Sequence, residues 1–182
     1  MGTVVSVDVR GPASSAAEAV DDVLAWLHDV DARFSTYREG SEISRLDRGE
    51  RPLADATGEV RWVLDRCAAL RHQTGGFFDE RAGGRLDPSA LAKGWAVQRG
   101  ADLLSTAGVT DFCLSAGGDL VTRGAPAPGR RWRTGIQHPH DRDAIAAVVE
   151  GNDLAVATSG AYERGAHILD PAAASRPGAS FR

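Results

Sequence analysis

The sequence predicts an α+β protein: helices in the first half and a mainly antiparallel sheet in the second. Two observations carry this. Apolar residues recur at helical spacing in three stretches that end by residue 104. After that the period changes, and short strand-like runs follow at 111–115, 131–137, 144–150 and 154–159, separated by Pro, Gly, Asn or Asp.

The elements follow in order. VVSVDV (4–9) alternates, with Val5, Val7 and Val9 on one face, as a half-buried strand does. Gly11-Pro12 breaks it, and Ser14 or Ser15 is placed to cap a helix with the stripe Val20, Leu24, Leu27, Val30 or Asp31, and Phe34. FSTYREGSEISRLDRG (34–49) is a polar loop with one helical turn carrying Ile43 and Leu46. Thr57 is the expected cap of a second helix, with Val60, Val63, Leu64, Cys67 and Leu70 at helical spacing. TGGFFDERAGG (74–84) reads as a glycine-rich loop. LDPSALAKGWAVQRGADLL (86–104) is the third helix, with Asp87 as N-cap and Pro88 at the first helical position. Its expected buried stripe is Ala90, Gly94, Val97, Ala101 and Leu104. Beyond 171 the sequence has no period and reads as a frayed tail, 172–182.

Composition narrows the function. A chain of 182 residues can bury a sizeable core, and its net charge of −4 argues against nucleic acid as the main partner. Cys67 and Cys113 stand far apart in apolar surroundings and read as two buried thiols. No apolar run approaches the ~18 residues of a membrane span. With no secretory signal before the first strand pattern, the default expectation is a cytoplasmic chain; an upstream export segment would make it extracytoplasmic.

The third helix carries the first chemical signal. A glycine on a buried helical stripe costs about 1 kcal/mol relative to alanine, so Gly94 implies a close approach by a neighbour or ligand. Asp87, Ala90 and Lys93 recur every third residue and lie within an arc of roughly 120°. A helix N-terminus beside a lysine suits an anion; a capped helix with a solvated lysine is the plainer alternative. Three glycine turns, TGGFFD, SAGGD and TSGAYERG, also suit close approach of a ligand. Tyr37, Phe77 and Phe78 fall in loops, where they would stack on a planar ligand or cluster under the loop. His167 in HILDP is a candidate general base, although a single histidine is more often structural. HPH (138–140) lacks further zinc ligands, and neither G-x-S-x-G nor G-x-G-x-x-G occurs. Lys93-Gly94 reverses the order of a P-loop. The residues alone therefore reach an anion site, with a nucleotide as one candidate ligand, and no further.

Seven stretches in order extend this: MGTVVSV, FSTYREGSEISRLD, TGGFFD, DPSALAKGWAV, AGGDL, WRTGIQHP and VATSGAYERGAHILDP. Together they resemble the ApbE family, the FAD:protein FMN transferases, over residues 1–171. The resemblance implies a single domain that uses FAD and Mg²⁺ and attaches FMN to a Ser or Thr hydroxyl of an acceptor protein. It implies FAD contacts at Met1, Tyr37, Phe77, Phe78, Asp79, Asp87, Lys93 and Ile168. It also implies a magnesium-binding carbonyl at Ala90 and a base at His167.

Three departures qualify it. The family's closing C-terminal segment, with an Asp and a Thr that complete the magnesium site, has no counterpart in AAASRPGASFR. Gln98 stands where many members carry an acidic residue, and the span from GGFFD to LDPSALAKG is short. Two alternatives accordingly stand beside the transferase. One is a non-catalytic or weakly active flavin-binding protein; the other is a Mg²⁺-dependent FAD pyrophosphatase giving FMN and AMP.

Overall fold

The computed structural model describes residues 3–11 and 16–159. The chain forms two compact units, and it passes between them inside two of its helices. The described residues of the first lie in Met1–Asp29 and Lys93–Glu163, those of the second in Val30–Ala92. The α+β expectation holds, with helices first and antiparallel strands after them.

The first unit is built on a four-stranded antiparallel sheet. Its strands are β1 (Val5–Arg10), β2 (Asp111–Ala116), β3 (Asp119–Arg123) and β6 (Ala155–Val156), in the order β1-β2-β3-β6. The register sets Val5, Val7 and Val9 opposite Ala116, Leu114 and Phe112, so the predicted valine face lines up with the buried face of β2. A separate hairpin joins β4 (Trp132–His138) to β5 (Asp141–Gly151), with irregular register around Gln137.

Two helices cross between the units: α1 (Ala16–Phe34) and α4 (Ser89–Thr106). In the first unit α1 buries Ala16, Ala19, Val23 and Leu27. This corrects the expected stripe, because Leu24 is exposed and Val20 only half-buried. Trp26 on α1 donates from Nε1 to the carbonyl of Ala96 at 3.0 Å and meets Trp95 edge to face at 5.2 Å. The expected α1 caps, Ser14 and Ser15, lie outside the described residues.

The second unit holds α2 (Glu42–Asp47), a short 3₁₀ turn (Leu53–Asp55) and α3 (Gly58–Gln73). Its core includes Val30, Phe34, Ile43, Val60, Val63 and Cys67. Ser41 caps α2 by accepting from the N–H of Ser44 at 3.0 Å. Thr57 stands at the N-cap of α3 but does not cap with its side chain. Its hydroxyl donates instead to the buried Glu42 carboxylate at 3.0 Å, which also accepts from the Thr57 N–H at 2.8 Å.

Three strand expectations change. DLVTR forms β3, which the sequence did not signal. The run 154–159 yields only the two residues of β6, and β5 begins three residues earlier than expected. Cys67 is buried as expected; Cys113 is only partly so.

Candidate functional site

Helix α4 starts as its sequence implies. Asp87 Oδ1 accepts from the N–H of Ser89 at 2.9 Å, and the Pro88 carbonyl accepts from Leu91 and Ala92, so Pro88 sits in the first turn. Val97, Ala101 and Leu104 of the predicted stripe are buried, but its N-terminal half is not: Ala90 is exposed and Gly94 only half-buried, and Ala92, Ala96 and Gly100 complete the buried face. A methyl group built on Gly94 would meet nothing within 4 Å beyond its own helix. The tightly packed glycine is Gly100, where the same methyl would stand 2.8 Å from Leu114 Cδ2. Gly94 thus leaves open space beside Lys93, and no neighbour among the described residues accounts for its helical cost.

Lys93 reaches the turn between β2 and β3. Its Nζ donates to the Gly117 carbonyl at 3.2 Å and lies 3.2 Å from Asp119 Oδ1. Both central residues of that turn, Gly117 and Gly118, have positive φ, of 52° and 88°. Two left-handed residues make the tight turn that suits the twist of an antiparallel hairpin, and glycine adopts them without strain. SAGGD is therefore a hairpin turn whose carbonyls serve side chains: Thr158 Oγ1 donates to Gly118 at 2.9 Å. Asp119 is buried, and its Oδ1 also accepts from the Thr158 N–H at 3.1 Å. An ammonium has three donors. One donates to the Gly117 carbonyl, the Asp119 carboxylate pairs with the charge, and the side chain keeps 23% of its exposure.

Asp119 is the site residue that sequence reasoning left unassigned. The available signal was an acidic residue closing a Gly-Gly turn, in a protein whose 21 basic residues include one lysine, Lys93, and twenty arginines.

The other implied contacts belong to the second unit. Tyr37 is 87% exposed and Phe77 76%, so both loop aromatics stand clear of the core. Phe78 is half-buried, and its N–H donates to Thr74 Oγ1 at 2.9 Å. Asp79 accepts from the Arg81 N–H at 2.9 Å and lies 3.7 Å from Arg71. Gln98 donates to Asp102 at 2.8 Å along α4. Met1, His167 and Ile168 lie outside the described residues.

The implied metal has little to hold it in what is described. Ala90 offers one backbone carbonyl, and among the described residues no group of three or more His, Cys, Asp or Glu could hold a metal ion. One carbonyl does not form a magnesium site, which needs several oxygens.

The fold and site together define an α+β protein with an ammonium held at a diglycine hairpin turn. The ApbE family model matches residues 1–84 and 80–176, and the chain belongs to the ApbE family. It is similar to the FAD:protein FMN transferase of Vibrio cholerae serotype O1, at 35% identity over 204 aligned positions covering 80% of this chain and 61% of that protein. The FAD:protein FMN transferase of Klebsiella pneumoniae is 36% identical over 95 positions, covering 47% of this chain and 27% of that one. The chain therefore spans less than two thirds of these curated relatives. Among solved structures, flavin transferase ApbE from Vibrio cholerae superposes with a TM-score of 0.75 at 22% identity, covering 90% of this chain and 70% of that one. The ApbE protein of Thermotoga maritima gives 0.77 at 19%, covering 90% and 69%. These likenesses show the shared fold. Among the described residues no helix is long and apolar enough to cross a membrane.

Proposed function

We propose that this chain is a flavin transferase domain that takes FAD as substrate and passes its FMN part to a Ser or Thr hydroxyl of an acceptor protein. The observation that carries this is Lys93, held beside the open face of Gly94 by a hydrogen bond and an ion pair, with its side chain still partly exposed. Family membership and the 35% identity to the Vibrio transferase support it. The functional domain is taken as residues 1–171, with 172–182 as a tail.

In the transfer, the acceptor oxygen forms a new bond to the FMN phosphorus as the phosphoanhydride bond breaks. AMP leaves with the bridging oxygen, and the hydroxyl proton goes to a base. Charge on the pyrophosphate must be neutralised, which falls to Lys93. By resemblance, His167 is the base, Asp87 and Asp79 are polar FAD contacts, and Ile168 and Met1 line the substrate. Tyr37, Phe77 and Phe78 offer ring faces to the flavin or adenine. Mg²⁺, which would supply further phosphate neutralisation, is proposed on the resemblance alone, at the Ala90 carbonyl.

Incubating the chain with FAD, Mg²⁺ and a candidate acceptor should give a fluorescent acceptor band on a denaturing gel. AMP release with no labelled protein would select hydrolysis instead. FAD binding with neither product would select a non-catalytic flavin-binding protein.

A further inference from the structure

We propose that Asp119 is a positioning residue: it holds Lys93 in the orientation that presents its ammonium to the FAD pyrophosphate. The proposal rests on the flavin-transfer function above and adds a role that the family resemblance did not assign. Three observations support it. Asp119 is buried, yet its Oδ1 faces the Lys93 ammonium at 3.2 Å. The Gly117 carbonyl accepts a hydrogen bond from the ammonium at 3.2 Å, so Lys93 is held by a hydrogen bond and an ion pair together. Asp119 also accepts from the Thr158 N–H at 3.1 Å, tying the cation to the start of the TSGAYERGAHILDP stretch that carries His167 in sequence.

Residue choice points the same way. A protein with twenty arginines uses its one lysine here. A guanidinium is planar and its five donors form a rigid fork. An ammonium is compact and divides three donors among three directions. A carbonyl, a carboxylate and a phosphate oxygen around one nitrogen call for the second geometry.

The test is a double-mutant cycle on FAD affinity, read by quenching of flavin fluorescence, with Asp119→Asn and Lys93→Met as the single variants. Asparagine keeps an acceptor for Thr158, so the turn is retained. Asp119→Asn is expected to weaken FAD binding about tenfold alone and less than twofold in the Lys93→Met background. Equal losses in both backgrounds would overturn the proposal and leave Asp119 as a support of the turn. Lys93 is also the only ε-amine, so its acetylation by an N-hydroxysuccinimide ester can be followed by mass spectrometry. Asp119→Asn should speed that labelling severalfold, and an unchanged rate would count against the pairing. Should Asp119→Asn be recovered only unfolded, Lys93→Arg is read instead. A tenfold weaker affinity supports the three-way geometry, and full affinity overturns it. If the wild-type protein bound no FAD at all, the transferase function itself would fall, which the other outcomes leave standing.

Discussion

Gly100 on α4 lies against Leu114 on β2: a methyl group on its Cα would stand 2.8 Å from Leu114 Cδ2 and 3.3 Å from Val23 Cγ1. Leu114 and Val23 are fully buried and cannot swing aside without displacing other core side chains. Overpacking of this kind costs roughly 1–3 kcal/mol, against about 1 kcal/mol gained from alanine's helix propensity. Gly100→Ala should therefore be destabilising by about 1 kcal/mol in urea denaturation. A raised midpoint would show that the core gives more easily than its burial suggests.

Gly94 is the opposite case, with nothing within 4 Å of an added methyl. Gly94→Ala should raise stability by about 0.5–1 kcal/mol. If the open face takes FAD, the same variant should weaken FAD binding. Stability and affinity moving in opposite directions would identify Gly94 as a residue kept for the ligand. An alanine that left affinity intact would detach it from the site.

The contrast between these glycines also marks where the sequence stopped being informative. Periodicity placed α4 and its cap, because Asp87-Pro88 and the spacing of Val97, Ala101 and Leu104 are strong local signals. It could not place the N-terminal half of the buried face. Ala90 and Ala92 are equally small and apolar, and only the packed structure distinguishes them. DLVTR was hidden for a related reason: five residues with an acidic start and a basic end give no clean alternation. Asp119 could not be assigned because its partner, Lys93, lies 26 positions earlier and meets it only through the hairpin.

Glu42 is a structural carboxylate in the second unit. It accepts from the N–H and hydroxyl of Thr57, and Arg51 lies 3.3 Å away. Glu42→Ala would leave both Thr57 donors unpaired at the start of α3. The expected cost is about 2–3 kcal/mol, with a smaller loss for Glu42→Gln, which keeps one acceptor. Guanidinium unfolding of the two variants would check the order.

Asp47 gives a pH signature. The Leu86 N–H, 2.8 Å from Oδ1, holds its carboxyl below the usual range; burial opposes this, and Arg85 and Arg81 add to it. The native value lies below the unfolded value of about 3.9, so the carboxylate's stabilisation is complete above that pH. It is lost as pH falls through the depressed native value. Asp47→Asn should cost about 1–2 kcal/mol at pH 7, and the gap to wild type should close as pH drops below about 4. A gap that stayed constant through that range would show that Asp47 acts through shape alone.

Cys67 should be chemically silent. Burial pushes its thiol up to about 12, and the neighbouring Glu80 carboxylate adds to the shift. The thiolate is the reactive form, so iodoacetamide at pH 8 should leave Cys67 unmodified until the protein is unfolded. Cys113 is also raised by burial but is partly exposed, so it should label slowly, and before Cys67. Rapid native labelling of Cys67 would reveal local opening of α3.

Among the described residues β5 pairs with β4 alone, and it leaves Ile145, Val148 and Val149 in the open. Charges bracket that strip: Asp141, Arg142 and Asp143 precede it and Glu150 follows. Such flanking charges resist strand-to-strand addition between molecules, and salt screens them. The practical consequence is colloidal. Raising the ionic strength should lower the concentration at which a solution of this protein stays clear.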